Sequence, residues 1–193
     1  LGGWVRDMAG KIEKADKEAG SPKVERPAVT DYYKDRQEAL DLYGRFTAIY
    51  EKLPKKGLVF DPCIFPWYRV ELTQAKVIEH LAFLAYVLGD EEKVTRAAAL
   101  LGEMSGHYGR SDYLTLLLRD PANRAQRELL IGYMGLTQEN ASAKAISLVK
   151  RMDLNRDDYR LMEDMLRFKR SGLRRELLKF LMGQDDEGLK ACL

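Results

Sequence analysis

Apolar residues recur every three or four positions along most of this chain, the period of helices that bury one face. Trp4, Met8, Ile12, Ala15 and Ala19 make the first such stripe, and Gly20-Ser21-Pro22 closes it. A polar linker containing Pro27 follows. A longer helix then fits Asp31–Lys52, with Leu40, Tyr43, Phe46, Tyr50 and Leu53 as its buried side and Pro54 as its stop. From Thr73, an N-cap residue, to Leu88 the pattern is apolar nearly all round, which predicts a buried central helix closed by Gly89. Asp90 caps the next helix, which carries Val94, Ala97, Ala98, Leu101 and Met104, and Ser105–Gly109 reads as a turn.

Further helices are expected over Ser111–Arg119, from Asp120-Pro121 to Gly135, over Gln138–Arg151 behind Thr137, and over Arg156–Lys169 behind Asn155. Ser171-Gly172 reads as a tight turn, a helix runs on to Gly183, and Asp185 or Asp186 caps a last one. The total is about ten helices. Residues 54–72 break the pattern. Pro54, Pro62 and Pro66 forbid a regular helix, yet Leu58, Val59, Phe60, Ile64, Phe65, Trp67 and Tyr68 carry more apolar surface than a solvated loop would. A short strand fits only there, within residues 57–68.

The helical pattern contains a repeat. Arg127–Gly135 reads Arg-Glu-Leu-Leu-Ile-Gly-Tyr-Met-Gly, and Arg175–Gly183 reads Arg-Glu-Leu-Leu-Lys-Phe-Leu-Met-Gly, six identities in nine at a spacing of 48. Leu118-Arg119 matches Leu166-Arg167 at the same offset, and Leu100–Met104 echoes Leu130–Met134 more weakly. A period of this size predicts stacked helical units that bury their apolar faces against one another. Leu129, Leu130 and Met134 are then expected to be core positions equivalent to Leu177, Leu178 and Met182. Gly135 and Gly183 are expected to be equivalent left-handed glycines after their helices.

The segment Asp157–Met182 resembles a HEAT-type unit: Asp157-Asp158-Tyr159 through Leu166-Arg167 as its first helix, and Leu173-Arg174-Arg175-Glu176-Leu177-Leu178 as the Arg-containing start of its second. The resemblance spans roughly residues 90–193 when the weaker echo is included. The chain is also similar to HEAT-like segments inside very large bacterial proteins of unknown function. The resemblance implies an all-α fold, a right-handed α-solenoid of HEAT/armadillo-like helix pairs, whose extended surface serves scaffolding and partner recognition. The expected organisation is N-terminal helices and an apolar Pro-rich connection over 1–72, then helical repeats over 73–193, in one continuous domain. The opening Leu1-Gly2-Gly3-Trp4 and the incipient helix at Glu187–Leu193 read as a segment of a longer chain.

Composition narrows the function. The 193 residues are 46% apolar and 32% charged, the balance of a folded chain, and a net charge of +2 imposes no global field for nucleic acid or membrane. The longest apolar run, Leu81–Leu88, is too short to span a bilayer. Cys63 and Cys192 are too few and too far apart for a disulfide scaffold or zinc site, which fits a reducing, cytoplasmic setting. No phosphate loop, dinucleotide fingerprint or nucleophile elbow occurs, and no cofactor or metal is expected. Asp153-Leu154-Asn155-Arg156-Asp157 mimics the start of a calcium loop, with Asp164 at the twelfth position. Asp158 stands where the loop needs Gly, so a helix cap is the better reading. His80 and His107 lack partner motifs.

Two stretches are candidate partner-binding surfaces. Arg167, Lys169, Arg170, Arg174 and Arg175 form the densest cation cluster, extended by Lys150, Arg151, Arg156 and Arg160. Guanidinium groups suit carboxylates and phosphates because the planar fork donates two parallel hydrogen bonds. The plainer alternative is a solvated face paired with Glu163, Asp164 and Glu176, its cations offsetting helix dipoles. Phe65, Trp67, Tyr68 and Arg69 are residue types that dominate interface hot spots, and the plainer alternative is that they cover the end of a helical array. The expected function is a non-catalytic scaffold whose partner is a protein or another domain of the same longer chain. The rivals are nucleic-acid binding through the Arg167–Arg175 cluster, and an enzyme site assembled from His107, Tyr108, Arg110 and Asp112.

Overall fold

The computed structural model describes residues 1–17, 26–60, 70–103, 110–120, 122–152 and 154–183. They are predominantly α-helical and fall into two compact units, Leu1–Leu117 and Leu118–Leu193. The Gly20-Ser21-Pro22 stop, the Ser105–Gly109 turn and the helix expected after Asp185 lie outside the described residues.

In the first unit the helices are α1 (Gly2–Lys17), α2 (Arg36–Lys52), α3 (Gln74–Leu88), α4 (Glu91–Glu103) and α5 (Arg110–Leu117). The core is α3, which packs on α2, α4 and α5. Ten of its residues, Val77, Ile78 and Leu81 through Leu88, are buried, as its apolar pattern requires. Both ends are set by local chemistry. Thr73 Oγ1 accepts from the Lys76 amide at 3.3 Å, satisfying a first-turn donor. Gly89 adopts φ 65°, the left-handed conformation that glycine takes without a Cβ clash. Arg36 also donates to the Leu88 carbonyl at 2.9 Å. α1 lies against α5 rather than α2, so packing in this unit does not follow the sequential order of a regular solenoid. The buried line of α1 is Val5, Ala9 and Ile12; Trp4 and Met8 sit at its margin. Trp4 meets Phe83 edge to face at 4.8 Å, a favoured aromatic geometry. Its Nε1 donates to the Tyr32 hydroxyl at 2.7 Å.

The strand expected within 57–68 is present, and its partner lies just past that window, where none was expected. β1 (Leu58–Phe60) pairs antiparallel with β2 (Val70–Leu72), with Leu58 opposite Leu72. Gly57 starts it at φ 74°. A Cβ there would come within 2.8 Å of the Leu72 carbonyl oxygen, so both conformation and space require glycine.

The second unit holds α6 (Arg124–Met134), α7 (Glu139–Val149), α8 (Arg156–Met165) and α9 (Ser171–Met182). α6 packs on α7 and α8, and α8 packs on α9. The two repeat copies are α6 and α9, so the 48-residue period encloses three helices, α6 through α8, rather than one pair.

Several helix ends differ from expectation, and at α2 and α6 the reason is that a neighbouring side chain takes the cap. α2 begins after Asp35, which accepts from the Glu38 amide at 2.8 Å; Asp31 instead closes a short 3₁₀ turn, Val29–Asp31, by accepting from the Ala28 amide. Asp120 makes a local turn with the Ala122 amide, and Asn123 caps α6. Gln138, not Thr137, precedes α7. α8 stops at Met165, and Ser171 and Gly172 are the first turn of α9 rather than a tight turn.

The expectation of left-handed glycines at the repeat ends is corrected. Gly135 has φ −79° and Gly183 has φ −84°, both right-handed. The last turn of α6 tightens instead, with Gly135 donating to the Gly132 carbonyl at 3.1 Å, so the chain leaves the helix without a positive φ. Space rather than conformation explains Gly135. A Cβ there would lie 3.0 Å from Met165 Cε and 3.2 Å from Phe168 Cε2.

Candidate interaction surface

The two repeat copies are not equivalent. On α6, Leu130 and Met134 are fully buried and Arg127 nearly so. On α9 the matching residues are exposed: Leu178 at 48%, Met182 at 77%, and Arg175. The expectation that both sets are core is therefore corrected. Leu178 and Met182 are not buried, whereas Leu177 is buried as expected, together with Leu173. That face is turned by one residue, about 100° around the helix axis.

The buried copy is built on polar residues whose mutual pairing the sequence does not show. Arg127 Nε donates to Asp158 Oδ2 at 3.1 Å, and its Nη1 donates to the Ala122 carbonyl at 3.1 Å. Asp158 sits in the first turn of α8 and is held by a capping box. Asn155 Oδ1 accepts from the Asp157 and Asp158 amides, and Asp158 Oδ2 accepts from the Asn155 amide at 3.0 Å. Gln126, also buried, accepts from the amides of Arg119 and Asp120 through Oε1 and fixes the approach to α6. The Asn155-x-x-Asp158 spacing was the available signal; nothing in the sequence tied its acid to Arg127. Asn155 is the cap anticipated in place of a calcium loop. Asp164 pairs with Arg167, and Asp153 lies outside the described residues.

The cation cluster divides. Arg170 donates to the carbonyls of Gly135 and Leu136 beyond α6, and Arg174 to those of Leu166 and Phe168 beyond α8. At such helix ends a cation also meets the negative end of the dipole. Arg167 lies 3.4 Å from Asp164 on an open surface. Lys169 and Arg175 are exposed. Lys150 and Lys179 converge on Glu176, whose carboxyl is held below the usual Glu range by the hydrogen bonds from Lys179 and Lys150. Leu161, Phe168, Leu178 and Met182 are exposed large apolar side chains of α8, α9 and the turn between them.

Phe65, Trp67, Tyr68 and Arg69 lie outside the described residues, as do His107, Tyr108 and the side chain of Arg110; Asp112 is half-buried in the first turn of α5. His80 stacks on Phe46 and its Nδ1 lies 2.7 Å from the Lys76 carbonyl oxygen, a structural placement. An open depression of about 350 Å³ runs beside α2 from Lys34 to Arg45. Its polar groups satisfy one another: Glu38 accepts from the Lys34 amide and Asp41 from Gln37. Among the described residues no group of three or more metal-ligating side chains occurs, and no helix is long and apolar enough to cross a membrane.

The fold is thus an all-α one with a single short hairpin among the described residues. Over residues 5–193 the chain belongs to a family of unknown function (DUF5724). No curated protein and no solved structure matches it.

Proposed function

We propose that the chain is a non-catalytic interaction segment of a larger, cytoplasmic, bacterial-type protein, built as a HEAT-like helical array. The observation that carries this reading is the outer face of α8 and α9. On these two helices and the turn between them, apolar Leu161, Phe168, Leu178 and Met182 and cationic Arg167, Lys169 and Arg175 are all exposed. Apolar anchors rimmed by cations suit a protein surface of acidic and apolar character. The 48-residue repeat and the contacts among α6, α7 and α8 support the array. The test is a photo-crosslinking amino acid at position 178 of the chain in cells, with position 37 on α2 as control. Adducts at 178 that disappear with Arg175→Glu support the reading; equal adducts at both positions contradict it.

Nucleic-acid binding is the rival that the exposed Arg167, Lys169 and Arg175 favour. Three phosphate contacts would give a salt slope of about −3, from about −0.9 per contact. A polarisation titration that shows this slope, lost in a triple Ala variant, would move the function there.

A further inference from the structure

The first repeat copy shows what the second copy's open face is shaped to receive. On α6, Arg127, Leu130 and Met134 form one stripe at i, i+3 and i+7, and α7 and α8 cover it. The buried side of α7 is small along most of its length: Ala141, Ser142 and Ala145 are buried before Val149 at its end, and Ser142 Oγ donates to the Met134 carbonyl at 2.6 Å. Such residues let two helix axes approach closely. α8 then brings Asp158, in its first turn, onto Arg127. On α9 the same three residue types stand at the same spacing as Arg175, Leu178 and Met182, and all three are exposed.

We propose that α9 is the acceptor face for a helical hairpin of the α7–α8 kind. Its first helix lays a small-residue stripe along Leu178 and Met182. Its second helix presents a carboxylate from its first turn to Arg175. This rests on the interaction reading above and names the partner's chemistry. Charge supports it: Arg174 is engaged by the Leu166 and Phe168 carbonyls and Lys179 by Glu176, whereas exposed Arg175 heads the apolar stripe and attracts an incoming carboxylate.

The test uses the full 193-residue chain with ¹³C-methyl methionine, the Met182 signal being assigned by Met182→Leu. The probe is a synthetic peptide of residues 136–168 of this same chain, which contains α7 and α8. The expected result is a saturable shift of the Met182 methyl at peptide concentrations up to about 1 mM, with the Met134 methyl unmoved. Arg175→Ala in the chain, or Asp158→Ala in the peptide, should weaken binding by about fivefold, and the two together by no more than either alone. No shift of Met182 overturns the proposal. So does a shift indifferent to both substitutions, or a shift of Met134, which means exchange onto α6. A Met182 methyl that changes with chain concentration alone assigns the face to a second copy; one already buried in the dilute chain assigns it to the chain itself. Either overturns the proposal. Crosslinking at position 178 does not involve the peptide. Adducts without peptide binding remove this inference and leave the interaction reading, whereas peptide binding without adducts removes the interaction reading and with it the inference that rests on it.

Discussion

α6 and α9 carry nearly the same nine residues and use them in opposite ways. On α6 the arginine, the second leucine and the methionine are inside, and Glu128 is on the surface, paired with Arg124 of its own helix. On α9 the arginine, leucine and methionine are outside, while Glu176 reaches Lys150 just past the end of α7. Rotation of about 100° exchanges the roles. A repeated sequence therefore specifies the helix, while the neighbours decide which of its faces is core.

The largest contrast is expected at the arginines. Arg127→Ala leaves Asp158 buried without its cation and should cost about 3–5 kcal/mol, whereas Arg175→Ala should stay within about 0.5 kcal/mol. Urea denaturation of the two variants checks this, and equal costs would break the comparison. Leu130→Ala should cost about 2–5 kcal/mol and Leu178→Ala no more than about 0.5 kcal/mol, read in the same way.

The glycines sharpen the contrast at smaller scale. Gly135→Ala pushes a methyl against Met165 and Phe168. It should cost about 1–3 kcal/mol. Among the described residues, Gly183→Ala meets only the Lys179 and Phe180 carbonyl oxygens, at 3.3 and 3.4 Å. The backbone there is right-handed, a conformation that alanine tolerates. The substitution should change stability by no more than about 0.5 kcal/mol. A left-handed Gly183 would instead make the alanine variant clearly destabilised.

The smallest effect lies at Glu176. Its folded-state pKa is depressed by Lys179 and Lys150, so the stability it contributes is present above the ordinary Glu value and fades as pH falls through that value toward the depressed one. Glu176→Gln should cost up to about 1 kcal/mol at pH 7 and nothing at about pH 2–3, where wild type and variant converge. A constant difference across that range would show that Glu176 packs rather than pairs.

Much of this fold was legible from the residues. The apolar run from Val77 to Leu88, bounded by Thr73 and Gly89, specified a buried helix with both ends fixed. Asp90 and Asn155 cap the helices they were expected to cap. Where two capping residues stand close together, as Asp31 and Asp35 or Asp120 and Asn123, the letters do not choose. Each side chain can hold either a cap or a local turn, and the surrounding packing decides between them. The candidate surface was legible in part. The cluster from Arg167 to Arg175 is cationic, but Arg170 and Arg174 are engaged by carbonyls at helix ends, a long-range geometry that spacing does not encode. The Arg127–Asp158 pair was hidden for the same reason: its partners are 31 residues apart on different helices.

The most direct measurement of the central claim is methionine oxidation by dilute peroxide, read residue by residue in one sample of the unmodified chain. Met134 has no exposed surface and Met182 is 77% exposed. Met134 should therefore be protected until the protein unfolds, and Met182 should oxidise first. Indistinguishable rates at Met134 and Met182 would contradict the account, because the two copies would then occupy the same environment.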